Sequence, residues 1–184
     1  MRTEIKGLDT LKNLETLLLG SNKISQLKSL DNLKNLKELR LSSNNIKKIE
    51  GLESLKNLRT LSFWNNQISV IENIGHLTEL ESLDLRNNNI KKITGLENLL
   101  KLKKLYIQTN QGTIFIPLNL IENLGGTAYS GEANEPQKFV EFCQKIKKLL
   151  KRDSKYESIM WDDFKDIKSG FKEFKLITKF TNIY

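Results

Sequence analysis

The sequence predicts an α/β solenoid, with short parallel strands on a concave face, 3₁₀ or irregular turns on the convex side, and a helical C-terminal extension. Three observations predict this architecture. One frame recurs five times at intervals of 22 residues, each copy holds one short alternating segment, and the last third of the chain has helical spacing. A repeat of this length indicates stacked units that share a single core.

The repeated frame is Leu-x-x-Leu-x-Leu/Ile/Phe-x-x-Asn. Its five copies begin at Leu14, Leu36, Leu58, Leu80 and Leu102. Each ends in an asparagine at the point where the chain must turn: Asn22, Asn44, Asn66, Asn88 and Asn110. An asparagine side chain both donates and accepts hydrogen bonds, so stacked copies can satisfy the buried backbone groups of successive turns. We therefore predict a structural asparagine ladder.

Residues 36–57 illustrate one copy. Polar and apolar residues alternate over 38–42, which predicts a strand with Leu39 and Leu41 inside and Arg40 outside. The apolar residues that follow are spaced by three, which suits 3₁₀ or irregular turns: Ile46, Ile49, Leu52 and Leu55. Because no single copy can bury its own apolar side, stacking must supply the core.

One position in the outer turns favours a left-handed backbone. It is occupied in successive copies by Gly7, Ser29, Gly51, Asn73, Gly95 and Pro117. Glycine and asparagine tolerate positive φ, so most copies fit a left-handed turn here. Ser29 and Pro117 do not fit that expectation well.

The chain divides into four predicted regions. Residues 1–124 form the solenoid, with one partial repeat before the five full ones, and residues 125–133 form a loop. A capping helix follows over 134–152, and an amphipathic helical tail over 153–184. The fifth copy diverges at Gly112, Phe115 and Pro117, as expected of a terminal repeat.

The capping helix is predicted from its start signal and its apolar face. Asn134 and Gln137 resemble a capping box, with Pro136 in the first turn. The apolar residues share one helical face: Phe139, Phe142, Cys143, Ile146, Leu149 and Leu150. We expect this face to close the last repeat, which would otherwise expose apolar side chains.

The tail has a second amphipathic pattern, carried by Met160, Phe164, Ile167, Phe171 and Phe174. Three interpretations remain open for it. It packs on the solenoid flank, it binds a partner or a second copy through residues 156–180, or it is a basic amphipathic helix on a membrane surface.

Composition indicates an ordinary soluble chain of 184 residues with a net charge of +8. Residues 136–184 hold twelve Lys/Arg and seven Asp/Glu, or +5, which leaves +3 for the rest. The one cysteine cannot form an intrachain disulfide, and the first residues lack the apolar stretch of a secretory signal. We therefore expect a cytoplasmic location.

Candidate catalytic and metal-binding groups are few. His76 is the sole histidine, it forms no recognisable triad, and it is expected at the surface of an outer turn. Cys143 lies on an apolar helical face and is expected to be buried and inert. Asp162, Asp163 and Asp166 lack the loop geometry of a calcium site. We therefore predict no enzymatic activity, cofactor or metal.

The units at 14–35, 36–57 and 80–101 resemble the 22-residue class of leucine-rich repeats, which includes a regulatory subunit of protein phosphatase 1 and the bacterial internalins. The resemblance covers about residues 5–124. It implies a non-catalytic scaffold that holds a protein partner on the concave sheet, with regulation of a phosphatase or a small GTPase as one such role.

The outward strand positions suggest where a partner binds. We predict a mixed aromatic and charged patch on neighbouring strands, formed by Arg40, Trp64, Asp84, Arg86 and Tyr106. Such residue types are enriched among interface hot spots. Alternatively, the face is solvated, with Trp64 flat on its neighbours or covered by the tail. A second function is association of the basic C-terminal helical region with nucleic acid or an acidic membrane. Nucleic acid is disfavoured, because acidic and basic residues are mixed on the concave face.

Overall fold

The structure is a computed structural model that describes residues 1–90, 93–107 and 132–152. Five three-residue strands form one parallel sheet in chain order: β1 Thr16–Leu18, β2 Glu38–Arg40, β3 Thr60–Ser62, β4 Ser82–Asp84 and β5 Lys104–Tyr106. Each strand residue pairs with its equivalent in the next copy, as Leu39 pairs with Leu61. The predicted solenoid of short parallel strands is confirmed.

The apolar interior runs through every described copy. Leu39 and Leu41 are fully buried while Arg40 is exposed, as the alternation predicts. The outer turns contribute Ile46, Ile49, Leu52 and Leu55, all fully buried. Hydrogen bonds from Leu55 N to Leu52 O and from Leu58 N to Leu55 O span three residues, as in 3₁₀ turns.

The strands are shorter than the predicted 38–42 segment, yet hydrogen bonding between copies continues beyond them. Leu41 N donates to Ser62 O at 2.8 Å, and Ser43 N donates to Trp64 O at 2.8 Å. The backbone is thus held to the next copy until the turn begins. No helix among the described residues combines the length and apolar character needed to cross a bilayer.

The turn asparagines link adjacent copies through the backbone. Asn66 Nδ2 donates to Phe63 O of its own turn at 3.0 Å and to Leu41 O of the preceding copy at 2.9 Å. Its Oδ1 accepts from Ile46 N at 3.0 Å. Asn44 and Asn88 make the equivalent bonds. At the first turn, the half-buried Asn22 likewise accepts from Arg2 N and donates to Leu19 O of its own turn. Asn110 lies outside the described residues.

The left-handed position in the outer turns extends to Ser29, which adopts a φ of 60°. The expectation that Ser29 does not fit was wrong, because in the described copies stacking imposes the same left-handed backbone on serine and asparagine as on glycine. Pro117 lies outside the described residues. A second left-handed position precedes the ladder asparagines, at Ser21, Ser43, Asn65 and Asn87. The short polar residues at this position give no glycine signal, so the sequence did not predict it.

The one helix of the described residues, α1, spans Pro136–Arg152 and packs on the last copies. Phe139 and Val140 are buried in the same core as the repeats. Side chains of α1 also bond to repeat carbonyls: Gln137 Nε2 donates to Leu102 O at 2.6 Å, and Gln144 Nε2 to Glu97 O at 3.0 Å. Gln137, which we expected to cap its own helix, therefore ties α1 to the solenoid.

Several predicted features lie outside the described residues. They are the outer turns of the fifth copy, most of the 125–133 loop and the whole tail, including Asp162, Asp163, Asp166 and the 156–180 surface. At the end of the loop, Glu132 forms an antiparallel bridge with Tyr106. Ala133 N donates to Leu105 O at 2.5 Å. The chain just before α1 therefore pairs with the outer edge of β5.

Candidate partner-binding surface

The sheet register places the predicted patch on one face. The third residues of the five strands form a row in which neighbours pair directly: Leu18, Arg40, Ser62, Asp84 and Tyr106. Trp64 and Arg86 lie two residues further along, beyond Ser62 and Asp84, on the same side of the chain because side chains alternate in extended segments. The patch thus spans four adjacent copies.

Arg86 is the centre of a polar cluster. Its Nε donates to Asp84 Oδ1 at 3.0 Å and its Nη2 to Asp84 Oδ2 at 2.6 Å, a bidentate pair. Its guanidinium carbon lies 4.6 Å from the centre of the Tyr106 ring, within range of a cation–π contact. The hydrogen bond to Asp84 raises the pKa of Arg86. The guanidinium is therefore held in place from two sides.

Tyr106 connects this cluster to the chain before α1. Glu132 forms a backbone bridge with Tyr106. Burial, followed by an interaction with the Glu132 carboxylate, raises the pKa of Tyr106, which favours the protonated phenol. Asp84, Arg86, Tyr106 and Glu132 together form one continuous, ordered polar network, which we call the Arg86 cluster.

The middle of the row departs from the outward pattern. Ser62 points to the concave face but is only 7% exposed. Its Oγ lies 3.1 Å from Ser42 Oγ and accepts a 3.4 Å bond from Trp64 N. A short side chain between Arg40 and Asp84 is covered by its larger neighbours. The sequence pattern predicts which face a side chain points to, but not how deeply it is buried among its neighbours.

Trp64 and Arg40 are the more exposed members of the predicted patch. Trp64 keeps 42% of its surface exposed, which is high for a tryptophan. Arg40 pairs through Nε with Glu38 of its own strand. Two of the proposed binding residues therefore present their side chains to solvent, while Asp84, Arg86 and Tyr106 are partly buried.

The concave face contains a depression of about 720 Å³ over β3 to β5. Four of the five predicted residues line it: Arg40, Asp84, Arg86 and Tyr106. Trp64 does not, so it lies beside the depression. Sequence reasoning missed four charged lining residues: Arg59, Glu81, Lys103 and Lys104. The signal that could have found them is the 22-residue spacing itself, since Arg59, Glu81 and Lys103 occupy equivalent positions just before their strands.

That position also carries ion pairs between copies. Lys37 Nζ lies 2.6 Å from Glu15 Oε1, and Lys103 Nζ lies 2.7 Å from Glu81 Oε2. The hydrogen bond from Lys103 lowers the pKa of Glu81. Such exposed pairs contribute little to stability. Of these two pairs, the one between Lys103 and Glu81 lines the depression.

Outside the patch, the side chains of His76 and Cys143 both contact backbone carbonyls of the repeats. His76 Nε2 lies 2.9 Å from Leu52 O of the preceding copy, so the half-buried ring bridges two turns. Cys143 is buried, as predicted, and its thiol contacts Ile93 O. Burial raises the pKa of Cys143 to about 12. Among the described residues, no group of three or more His, Cys, Asp or Glu side chains could hold a metal ion.

The family model for leucine-rich repeats in two copies matches three overlapping segments, residues 12–54, 34–76 and 56–98. These segments coincide with the stacked copies described above. This chain is a leucine-rich repeat protein. No curated protein is similar enough in sequence to match it.

Solved structures of other leucine-rich repeat proteins share the fold. An internalin from Listeria monocytogenes is 33% identical with a TM-score of 0.56, over 63% of this chain and 35% of the internalin. A leucine-rich repeat protein from Leptospira interrogans is 32% identical with a TM-score of 0.51, over 57% of this chain and 28% of its own. TLR13, solved in complex with ssRNA13, is 31% identical with a TM-score of 0.50, over 54% of this chain and 16% of TLR13. The chain thus spans about a third or less of these relatives.

Proposed function

We propose that this leucine-rich repeat protein is a non-catalytic scaffold that binds a protein partner on its concave face. The observation that carries the proposal is the Arg86 cluster, ordered beside the exposed Trp64. Arginine, tyrosine and tryptophan are the residue types that most often dominate binding energy at interfaces. Side chains that are already ordered lose less conformational freedom on binding.

The role of the scaffold is a finer part of the same proposal. Its support is the resemblance to repeat proteins that regulate a phosphatase or a small GTPase. The internalin and the Leptospira protein support the repeat architecture that such a role uses. Identification of the bound partner tests this part, because a regulator would recover an enzyme.

Nucleic acid is the second candidate partner, suggested by the TLR13 complex with ssRNA13 and by the basic residues of the depression. The carboxylates of Glu81 and Asp84 line the same depression and disfavour a phosphate backbone there. Binding to nucleic acid would fall steeply with salt concentration. Protein binding anchored by Trp64 and the Arg86 cluster should persist at moderate salt.

The test compares Trp64→Ala with Val70→Ala in capture from a native lysate, followed by titration of each purified partner. Val70 is a matched control, since it is also an exposed apolar residue, 50% exposed, but lies in an outer turn. We expect Trp64→Ala to weaken binding about 30-fold, the effect of losing roughly 2 kcal/mol at a hot spot. Val70→Ala should bind like the wild type.

Two results would contradict the proposal. One is a partner that binds wild type, Trp64→Ala and Tyr106→Ala with equal affinity. The other is capture that disappears after nuclease treatment of the lysate, which would favour the nucleic-acid function. Matching thermal unfolding of the variants shows that any loss of binding does not come from loss of the fold.

A further inference from the structure

The depression on the concave face is net basic. Its charged lining residues are five bases and two acids: Arg40, Arg59, Arg86, Lys103, Lys104, Glu81 and Asp84. We infer that this depression binds an acidic segment of the partner protein, with Arg59 and Lys104 as its main contacts. The inference rests on the proposed function and specifies the chemistry of the partner at that surface.

Most of the basic groups already have acidic neighbours. Arg86 pairs with Asp84, Lys103 with Glu81, and Arg40 with Glu38. In the part of the chain that the structure describes, neither Arg59 nor Lys104 forms an ion pair, and both are exposed. Lys103 and, to a smaller extent, Arg59 lower the pKa of Glu81, so Arg59 shares a carboxylate that already pairs with Lys103. The surplus positive charge of the depression therefore lies on Arg59 and Lys104.

The positions of Arg59 and Lys104 suggest the spacing of the acidic residues. Arg59 directly precedes β3 and Lys104 opens β5, so the two lie on either side of β4. Strands in a sheet are about 4.8 Å apart, so two intervals span about 10 Å. A peptide in the polyproline II conformation rises about 3.1 Å per residue with three residues per turn, so carboxylates three residues apart lie on one side and nearly match that span.

A protein segment fits this surface better than a nucleic acid. Glu81 and Asp84 face the same depression as the five bases. A nucleic acid carries a negative charge at each nucleotide and would bring phosphates against these carboxylates. A peptide can place acidic residues opposite Arg59 and Lys104 and polar residues opposite Glu81 and Asp84. Charge complementarity of this kind gives an interface its specificity.

The probe is a fluorescein-labelled peptide of about twelve residues with Glu at every third position and Ser between, matching the estimated spacing. A Gln-for-Glu peptide and a single-stranded RNA of equal length serve as comparisons. Fluorescence anisotropy measures binding to the full chain and to two double variants. Arg59→Gln with Lys104→Gln removes the proposed contacts. Lys34→Gln with Lys56→Gln removes the same charge from exposed lysines that do not line the depression.

We expect the Glu peptide to bind the wild type and the Lys34/Lys56 variant within about twofold of each other, since both retain the depression. The Arg59/Lys104 variant should bind at least about tenfold more weakly, and the Gln peptide should not bind. Equal weakening in both double variants would reduce the effect to net charge and overturn the inference. No binding of the Glu peptide, or tighter binding of the RNA that is lost with Arg59 and Lys104, would overturn it as well.

The inference and the proposed function can fail separately. If Trp64→Ala abolishes partner capture while the Glu peptide fails to bind, the scaffold function stands and the acidic segment does not. The opposite result is that Trp64→Ala and Tyr106→Ala leave partner affinity unchanged, while binding of the Glu peptide is lost with Arg59 and Lys104. In that case the proposed scaffold function is wrong, and the depression only binds acidic peptides.

Discussion

The turns and the concave face of this protein occupy equivalent places in every copy, yet their residues follow opposite rules. In the turns, the same side chain recurs in each described copy, as in Asn44, Asn66 and Asn88. On the concave face, no two paired residues of the central row are alike: Leu18, Arg40, Ser62, Asp84 and Tyr106. The turns require the same residue type in each described copy, whereas the concave face carries a different residue on each strand.

The physical difference lies in what each side chain contacts. Asn66 bonds to backbone atoms, and backbone atoms are the same in every copy. Residues of the central row make their main contacts with other side chains or solvent, as Asp84 and Tyr106 contact Arg86. A polar residue repeated in the turns therefore indicates a backbone partner, and a variable one on the concave face a position available for recognition.

The strongest test of this comparison is Asn66→Ala. The substitution leaves the buried amide of Ile46 without its acceptor. It also removes one of two side-chain donors from the carbonyls of Leu41 and Phe63, which keep their bonds from Asn44 and Asn88. We expect a loss of about 3–4 kcal/mol in the free energy of unfolding, because an unsatisfied buried group costs about 1–3 kcal/mol and each lost hydrogen bond adds about 0.5–1.5 kcal/mol. Urea unfolding followed by circular dichroism measures it.

Asn22→Ala is the matched control. Asn22 donates to Leu19 O and Gly20 O and accepts from Arg2 N at the open end of the ladder, where water can replace the side chain. Its loss should be about 1 kcal/mol, the net value of an ordinary hydrogen bond. Equal losses at Asn22 and Asn66 would contradict a ladder whose effect depends on burial between copies.

The next largest effect is expected at the left-handed turns. Gly51 has a φ of 68°, and a Cβ added there would lie 2.4 Å from Leu27 O of the preceding copy. Gly7 has a φ of 74°, but a Cβ there meets nothing within 4 Å. Gly51→Ala should cost about 2–3 kcal/mol of stability and Gly7→Ala about 1, since only Gly51 combines backbone strain with a clash.

Thermal and urea unfolding of the two glycine variants separate the contributions. Gly7→Ala reports the strain of positive φ alone, and the difference between the variants reports the contact between copies. If both variants lose the same stability, the copies are not packed as tightly at this turn as Leu27 and Gly51 indicate.

Much of the fold could be predicted because each signal depended on one repeated physical requirement. Leu39 and Leu41 alternate with Arg40, which was enough to give strand direction and burial. The left-handed backbone at Ser29 could not be predicted in the same way. Its cause is the stacking of neighbouring copies, which lies outside the local propensity of serine.

The candidate site could be predicted only in part. Alternation placed Arg40, Asp84 and Tyr106 on one face, but it could not give the depth of Ser62, which depends on the size of its neighbours. Nor could it reveal that Glu132 reaches Tyr106, because that contact joins residues far apart in the chain. Binding by the patch stays a prediction.

The smallest expected effect is on the stability of two variants on the concave face, Arg40→Ala and Arg86→Ala, and it should differ between them. Arg40 is exposed and pairs only with Glu38 among the described residues, so Arg40→Ala should change the free energy of unfolding by less than about 0.5 kcal/mol. Arg86→Ala leaves the partly buried Asp84 carboxylate without its bidentate partner and removes the contact with Tyr106. That should cost about 1–2 kcal/mol, because hydrogen bonds to charged groups are stronger than neutral ones. Equal changes for both variants in urea unfolding would mean that the Arg86 cluster is no more ordered than an ordinary surface ion pair. Its side chains would then have no entropic advantage when a partner binds.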